Sequence, residues 1–146
     1  RTNDKKCLWP AHFYGREKEY CHIERLTNLD KIPMNYGFKF CCFPIKLKEM
    51  GAQNVLISMG KDGALLVSED NQVLISSVAK GEVVNSVGAG DSMVAGFIAG
   101  YLKSNSYEEA LRLGAASGGA TAFSSDLATR EFIDKLVDEI KIEKIK

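Results

Sequence analysis

The sequence has no excess of charge of either sign, no long apolar run and no export signal. Nineteen basic residues balance nineteen acidic ones, so the composition favours neither a nucleic-acid nor an anionic-membrane partner. The apolar runs fall far short of the ~20 residues that span a bilayer. No signal-peptide pattern opens the chain. We therefore expect a soluble cytoplasmic protein of one domain, since 146 residues suffice for a single core.

Two common nucleotide-binding motifs are also absent. The P-loop requires Gly-Lys-Ser/Thr after its first glycine, but Gly60-Lys61 is followed here by Asp62. The dinucleotide fingerprint requires a third glycine at position 93, where this chain has Met93. These absences exclude both the P-loop and the dinucleotide-binding interpretations of the glycine-rich segments.

Residues 1–45 differ in composition from the rest of the chain. They hold all four Cys, both His, the only Trp and all three Pro, but two of the thirteen Gly. Three interpretations stay open: non-native sequence from a shifted frame, splice or fusion; an authentic divergent segment; or a zinc module, although no Cys-x2-Cys or His-x3-His spacing occurs. From residue 46 onward the composition is typical of an α/β domain.

The most informative segment, residues 85–98, carries a glycine turn followed by an acid. Gly88, Ala89 and Gly90 precede Asp91, which opens an apolar, helix-forming run. Glycines let backbone N–H groups converge, and a helix N-terminus adds unpaired N–H groups and a positive dipole end. The turn is therefore a candidate anion site suited to phosphate. Asp91 then has two interpretations: a general base for an attacking hydroxyl, or a helix cap.

A second block, residues 55–67, contains Ser58-x-Gly60-x-x-Gly63. The two blocks, in this order and spacing, resemble the PfkB (ribokinase-like) carbohydrate kinases over roughly residues 46–146. The amino-acid sequences of residues 81–87 and 117–124 are most similar to those of the 1-phosphofructokinase branch. The resemblance implies a ribokinase-like three-layer α/β/α sandwich, of which this chain holds the C-terminal, nucleotide-binding portion only.

The resemblance also implies the roles of the site residues. It implies ATP and Mg²⁺ as cofactors and phosphorylation of a sugar phosphate, fructose 1-phosphate to fructose 1,6-bisphosphate. Tagatose-6-phosphate kinase or another sugar kinase of the family is the alternative, and the parent enzyme is expected to be a homodimer. The implied ATP-binding residues are Ser58, Met59, Gly60, Lys61, Asp62, Gly63, Gly90 and Asp91. The catalytic residues are Asp91 as general base and Gly88, Ala89 and Gly90 as anion hole, and no metal ligand is assigned.

One family feature is missing from the region before Ser58. Relatives carry an Asn-x-x-Glu motif upstream of the Ser-x-Gly-x-x-Gly block, where it organises Mg²⁺ near the phosphates, but none of Glu17, Glu19, Glu24 or Glu49 has Asn three residues before it. Relatives are also roughly twice as long and carry a sugar-binding half. The chain is therefore interpreted as a fragment of the enzyme, and a non-catalytic nucleotide-binding module or a remnant without a stable fold are the rival hypotheses.

Periodicity predicts where the secondary-structure elements lie. Strands are expected at residues 53–59, 64–67 and 73–76, and helices at 91–102, from a Ser106 cap to about Phe123, and at 130–140. The residues after 140 form a short strand or an apolar tail. In the first of these helices, the side chains expected to face the core are Val94, Ala95, Ile98, Tyr101 and Leu102.

Overall fold

The computed structural model describes residues 43–145, and the chain divides into two compact units, Arg1–Ala52 and Gln53–Lys146. In the first unit, residues 43–52 are described. They form helix α1, Phe43–Glu49, and a turn in which the Gly51 N–H donates to the Lys48 carbonyl at 2.9 Å. All the Cys and His residues of the chain lie outside the described residues. The interpretation of residues 1–45 therefore stays a prediction.

The second unit is built on a four-stranded antiparallel sheet in the order β1-β2-β3-β4. Its strands are β1 Val55–Ser58, β2 Ala64–Val67, β3 Val73–Ser76 and β4 Ile142–Ile145. The three strands predicted from Val, Leu and Ile content are confirmed, with β1 shorter at both ends. The end of the chain forms the strand rather than the apolar tail, pairing Ile145 with Val73 in register.

Strands β2 and β3 are buried on both faces. Neighbouring side chains Leu65 and Leu66 point to opposite faces, and their exposed fractions are 2% and 0%. On one face, Leu66 and Leu74 pack with Leu111 to form the core beneath the helices. This continuous burial explains why both strands are unbroken apolar runs in the sequence rather than alternating patterns.

Three helices complete the second unit: α2 Ala89–Ser104, α3 Tyr107–Ala122 and α4 Arg130–Val137. The predicted cap of α3 is confirmed, because the Ser106 hydroxyl accepts a hydrogen bond from the Glu109 N–H at 3.4 Å. Helix α3 packs over β2, β3 and β4, whereas α2 packs over β1. The α/β fold class expected from the sequence is therefore confirmed for the described residues.

Helix α4 ends earlier than predicted. After Val137 the chain forms a turn, in which the Ile140 N–H donates to the Val137 carbonyl at 3.2 Å. The Lys141 N–H then donates to the Ser77 hydroxyl at 2.9 Å. Ile140 is buried and follows this turn, because the chain has to change direction here to enter β4.

The predicted core face of α2 is wrong. Three of the residues expected to be buried, Val94, Ile98 and Leu102, are 50%, 53% and 80% exposed, and we call them the α2 stripe. The buried face carries Gly96 and Gly100 instead. Helix α3 approaches this face so closely that a Cβ on Gly96 would lie 2.4 Å from the Ser117 hydroxyl. Close backbone packing at these glycines therefore joins the two helices, together with Met93 and Phe97, which pack against the core cluster of Leu111, and with the stacked rings of Tyr101 and Tyr107.

Glycines of α3 also contribute to the close contact between α2 and α3. A Cβ on Gly114 would lie 2.9 Å from the Met93 carbonyl oxygen, and one on Gly118 would lie 3.0 Å from the Ala89 carbonyl oxygen. Close packing against α2 therefore accounts for the glycines on this face of α3. It also fixes the start of α2, where the glycine turn lies, against the end of α3.

Candidate nucleotide-binding site

The turn after β1 holds the first predicted motif in a single 3-10 turn, Gly60–Asp62. The Met59 N–H donates to the Gly63 carbonyl at 2.8 Å, and the Gly63 N–H donates to the Gly60 carbonyl at 3.1 Å. Gly60 and Gly63 both have positive φ, 59° and 89°. The Ser-x-Gly-x-x-Gly spacing therefore has a local cause, since L side chains disfavour both backbone conformations.

The second predicted motif forms the N-terminus of α2. Gly88 is the residue before the helix, in the left-handed region at φ 79°, and its carbonyl accepts the Ser92 N–H at 2.8 Å. The Asn85 side chain accepts the Val87 N–H at 3.0 Å, which fixes the turn before the glycines. Gly88 and the first turn of α2 therefore present backbone N–H groups at a positive dipole end, as an anion site requires.

Within this turn, one of the three predicted N–H donors already has a partner. The Ala89 N–H donates to the Ser86 carbonyl oxygen at 3.3 Å. Gly88 and Gly90 are then the better candidates for an anion among the three predicted residues. A Cβ on Gly90 would meet no atom within 4 Å, so the space beside this residue is open.

Asp91 lies in the first turn of α2 and is exposed. The N-cap of α2 is Gly88, and no side-chain hydrogen bond caps the helix. Asp91 is therefore not the helix cap of the alternative interpretation. The next residue, Ser92, accepts a hydrogen bond from the buried Thr121 hydroxyl at 2.9 Å, and this ties the first turn of α2 to the end of α3. This hydrogen bond anchors the first turn of α2, whereas the side chain of Asp91 is exposed to solvent.

A cavity of about 390 Å³ joins the two motifs. This volume is within the range of small-molecule sites. Six predicted site residues line it, namely Ser58, Gly60, Lys61, Gly63, Ala89 and Gly90. Four others, Met59, Asp62, Gly88 and Asp91, are not among the lining residues. The structure thus brings the two turns, which are about 30 residues apart in sequence, to one cavity.

Sequence reasoning missed most of the remaining wall. It is formed by the segment after β3, by the start of α2 and by the second half of α3 with the residue after it. Its residues are Ser77, Val78, Ala79, Gly81, Val83, Ser86, Met93, Ala115, Gly119, Ala122 and Phe123. Gly81 contacts Phe123 so closely that a Cβ would lie 2.5 Å from the ring. The Gly118-Gly119 pair was the available signal, since it marks a helix face that another group approaches.

The described residues do not fit a magnesium site of their own. Among residues 43–145 no group of three Asp, Glu, His or Cys side chains lies close enough to hold a metal ion. No helix within that part of the chain is long and apolar enough to cross a membrane.

Comparison with protein families identifies the class to which this fold and cavity belong. Residues 45–131 match the model of the pfkB family of carbohydrate kinases. Since this match spans more than half of the chain, the protein belongs to that family.

Individual relatives show which members of the family the chain is similar to. Over 100 residues the chain is 53% identical to 1-phosphofructokinase of Bacillus subtilis, covering 68% of this chain and 33% of that protein. Over 97 residues it is 42% identical to D-tagatose-1-phosphate kinase of Bacillus licheniformis, covering 66% and 32%. The chain therefore spans about a third of the length of these curated relatives.

Solved structures show the same fold. A Staphylococcus aureus protein assigned as a phosphofructokinase superposes with a TM-score of 0.67 at 39% identity, covering 71% of this chain and 34% of that one. Arabidopsis thaliana ribokinase, solved with ribose and ATP, superposes with a TM-score of 0.58 at 26% identity, covering 64% and 31%. The predicted ribokinase-like fold is confirmed by these neighbours.

Proposed function

We propose that this chain supplies the nucleotide-binding part of a kinase that transfers the γ-phosphoryl group of ATP to a sugar phosphate. The observation that carries the proposal is the single cavity lined by both motif turns, at the N-terminus of α2. A phosphate chain suits that end of the cavity, because N–H groups and the helix dipole favour negative charge there. The ATP bound to the Arabidopsis thaliana ribokinase, whose fold this chain shares, supports the choice of nucleotide.

The apolar part of the cavity lining suits a purine base. Ala79, Ala115 and Phe123 present apolar surface there, and Gly119 leaves the helix backbone accessible. Flat apolar walls with a few polar groups are typical of sites that hold a planar ligand. The base would lie between the end of α3 and the segment after β3, with the phosphates extending toward Gly90.

In the proposed reaction the chain's residues position charge and accept one proton. The hydroxyl oxygen of the sugar forms a bond to the γ-phosphorus, and the bond from that phosphorus to the β–γ bridging oxygen breaks, leaving ADP. The hydroxyl proton passes to the Asp91 carboxylate. The N–H groups of Gly88 and Gly90 stabilise the charge on the transferred group. Mg²⁺ would neutralise phosphate charge when bound, but no step is assigned to it in this chain.

The proposed acceptor is fructose 1-phosphate, phosphorylated at its C6 hydroxyl. The 53% identity to the Bacillus subtilis 1-phosphofructokinase supports this choice. The 42% identity to a D-tagatose-1-phosphate kinase keeps a ketose 1-phosphate of the other configuration as the nearest alternative. The tagatose-6-phosphate alternative and the homodimeric parent stay predictions from the family resemblance.

A second candidate function is nucleotide binding without transfer. It is favoured by one observation: Asp91 is exposed and lies outside the lining of the cavity, as far as the described residues define it. A chain of this kind would bind ATP through its two turns yet hold no acceptor beside the carboxylate.

The test separates the two candidates with the 146-residue chain. Isothermal titration with ATP and with AMP measures binding, and we expect ATP to bind more tightly because only ATP carries a phosphate chain long enough to reach the α2 N-terminus. Absence of ATP binding would contradict both candidates. ADP release is then measured with fructose 1-phosphate, tagatose 1-phosphate and fructose 6-phosphate. Release that depends on fructose 1-phosphate supports the kinase, and binding without any sugar-dependent release favours the second candidate.

A further inference from the structure

The last turn of α3 is hydrogen-bonded to the chain on both sides of the glycine turn that opens α2. Before the glycines, the N–H groups of Val84 and Asn85 both donate to the Ala122 carbonyl, at 2.9 and 3.1 Å. After the glycines, the Thr121 hydroxyl donates to the Ser92 hydroxyl at 2.9 Å. Two consecutive residues of α3 therefore fix the chain at either end of a turn that lines the cavity.

The Thr121 hydroxyl makes a different contact from the other buried hydroxyl of α3. Ser117 is 4% exposed and donates to the Leu113 carbonyl of its own helix at 2.8 Å, a common local partner for a helical hydroxyl. Thr121 is 2% exposed, donates to a residue of another helix, and accepts the Ala128 N–H at 3.4 Å. Its hydrogen bond is therefore a tertiary contact between α3 and the first turn of α2.

The glycine turn needs such a contact, because its own residues do little to order it. Gly88 is an N-cap without a side chain, and no side-chain hydrogen bond caps the helix. Glycine also leaves the backbone more freedom than other residues do, and ordering donors at the moment of binding weakens affinity. The packing of Gly118 against the Ala89 carbonyl oxygen brings the helices together but has no directional bond. The Thr121 hydrogen bond supplies the direction, since it requires Ser92 to face α3.

We propose that Thr121 is a positioning residue for the phosphate-binding turn, and that its hydrogen bond to Ser92 fixes the first turn of α2 so that the Gly90 N–H is in place for the terminal phosphates of ATP. The inference rests on the proposed function and deepens it, because it names the group that keeps the anion site ordered. Thr121 does not line the cavity, so it acts through Ser92 and not through the nucleotide. AMP has a single phosphate and would not depend on this turn.

The test is isothermal titration of the 146-residue chain with ATP and with AMP. Thr121→Val keeps the shape of the side chain and removes the hydroxyl, and we expect ATP to bind about ten-fold more weakly, as loss of one hydrogen bond predicts, with AMP affinity unchanged. Thr121→Ser retains a hydroxyl and should bind ATP as the wild type does. Ser117→Ala is the matched control, because it removes a buried hydroxyl that donates within the same helix, and it should leave both affinities unaltered.

Ser92→Ala removes the same hydrogen bond from its partly exposed end, and circular dichroism melts establish that each variant folds. This variant keeps the test valid if the buried substitution unfolds the chain, and it should weaken ATP binding to a similar extent. The double variant should bind ATP no more weakly than either single variant, because both lose one shared bond. Additive losses would overturn the inference, and so would wild-type ATP affinity in Thr121→Val, equal losses for ATP and AMP, or no rescue by Thr121→Ser.

Hydrogen exchange of the Ser92 amide, followed by NMR in the unliganded chain, separates the inference from the proposed function. This N–H donates to the Gly88 carbonyl at 2.8 Å, so its exchange reports on the order of the turn. Thr121→Val should speed the exchange about ten-fold, whereas Ser117→Ala should not, and unchanged exchange in Thr121→Val would overturn the inference. Faster exchange in a chain whose wild type does not bind ATP would reject the proposed function and leave the positioning by Thr121 standing.

Discussion

The turn after β1 and the turn that opens α2 both rely on glycine, but for different reasons. At Gly63 the backbone has φ 89°, and a Cβ would lie 1.9 Å from the Ser76 carbonyl oxygen of β3. At Gly90 the backbone is helical, and a Cβ would meet no atom within 4 Å. The fold requires the first glycine, whereas nothing within the described residues requires the second. The open space beside Gly90 belongs to the cavity and is therefore available to a ligand.

The largest expected effect comes from the acid at the second turn. In the smallest form of the protein that shows sugar-dependent ADP release, Asp91→Asn should reduce turnover by about 10²–10⁴, as loss of a general base does. ATP affinity measured by titration should stay unchanged, because Asp91 does not line the cavity. Turnover within a factor of two of the wild type would remove Asp91 from the mechanism.

A substitution in the first turn should instead disturb the fold. Gly63→Ala should lower the free energy of unfolding by more than about 3 kcal/mol, because backbone strain of about 1–3 kcal/mol adds to the overlap with the Ser76 carbonyl. Urea unfolding followed by circular dichroism measures the change.

Gly60→Ala is the matched control for that substitution. Gly60 also has positive φ, but a Cβ there would meet nothing within 4 Å. The expected loss is about 1–2 kcal/mol, the cost of the left-handed conformation alone. Equal losses at the two positions would show that the contact with β3 does not matter.

Substitution of the second glycine should change binding without lowering stability. Gly90→Val places a side chain in the cavity, and we expect ATP to bind at least about ten-fold more weakly, about 1.4 kcal/mol. The free energy of unfolding should not fall, since the helix propensity of Val is somewhat better than that of Gly and a Cβ here would meet no atom. Ala95→Val, on the exposed part of the same helix, should leave ATP affinity unaltered. Wild-type affinity in Gly90→Val would contradict the anion site.

The smallest expected effect lies in a third turn, which has no part in the cavity. Between β2 and β3, hydrogen bonds from the Ser68 hydroxyl and the Gln72 side chain lower the pKa of Asp70 below its ordinary value of 3.8. Because the folded-state pKa is lowered, the carboxylate stabilises the fold above the unfolded value, and this contribution is lost as pH falls through the folded value.

Asp70→Asn tests that turn. Its urea midpoint should lie slightly below that of the wild type near pH 6, and the two should converge below about pH 4. ATP affinity should be the same in both. A midpoint difference that persists unchanged at about pH 2 would show that the carboxylate charge is not the cause.

Local signals predicted the elements with few errors. Runs of Val, Leu and Ile identified β1, β2 and β3, and the Ser106 cap with Glu109 located the start of α3. These signals work because they depend on the backbone and on residues a few positions away. The end of α4 was not predictable in this way, because the Ser77 contact that turns the chain comes from 64 residues away.

The face of α2 shows where sequence periodicity fails. The large apolar residues indicated one face, but the helix buries the opposite one through Gly96 and Gly100. A prediction from periodicity assumes that the buried face of a helix carries bulky side chains. In α2 the buried face carries glycines instead, because α3 approaches it within backbone contact. The apolar residues are then left for a surface that the described residues do not supply.

The strands, the helix cap and the two glycine turns could be predicted from the amino-acid sequence, because each depends on short-range backbone chemistry. The family was predicted from the resemblance of the two motif blocks. The tertiary structure was needed to show that both turns line one cavity, that Phe123 and Gly81 are in its lining, and that Asp91 is exposed on the helix that carries the α2 stripe. These features depend on which helix faces touch, and contacts between residues far apart in the chain leave no local pattern from which to derive them.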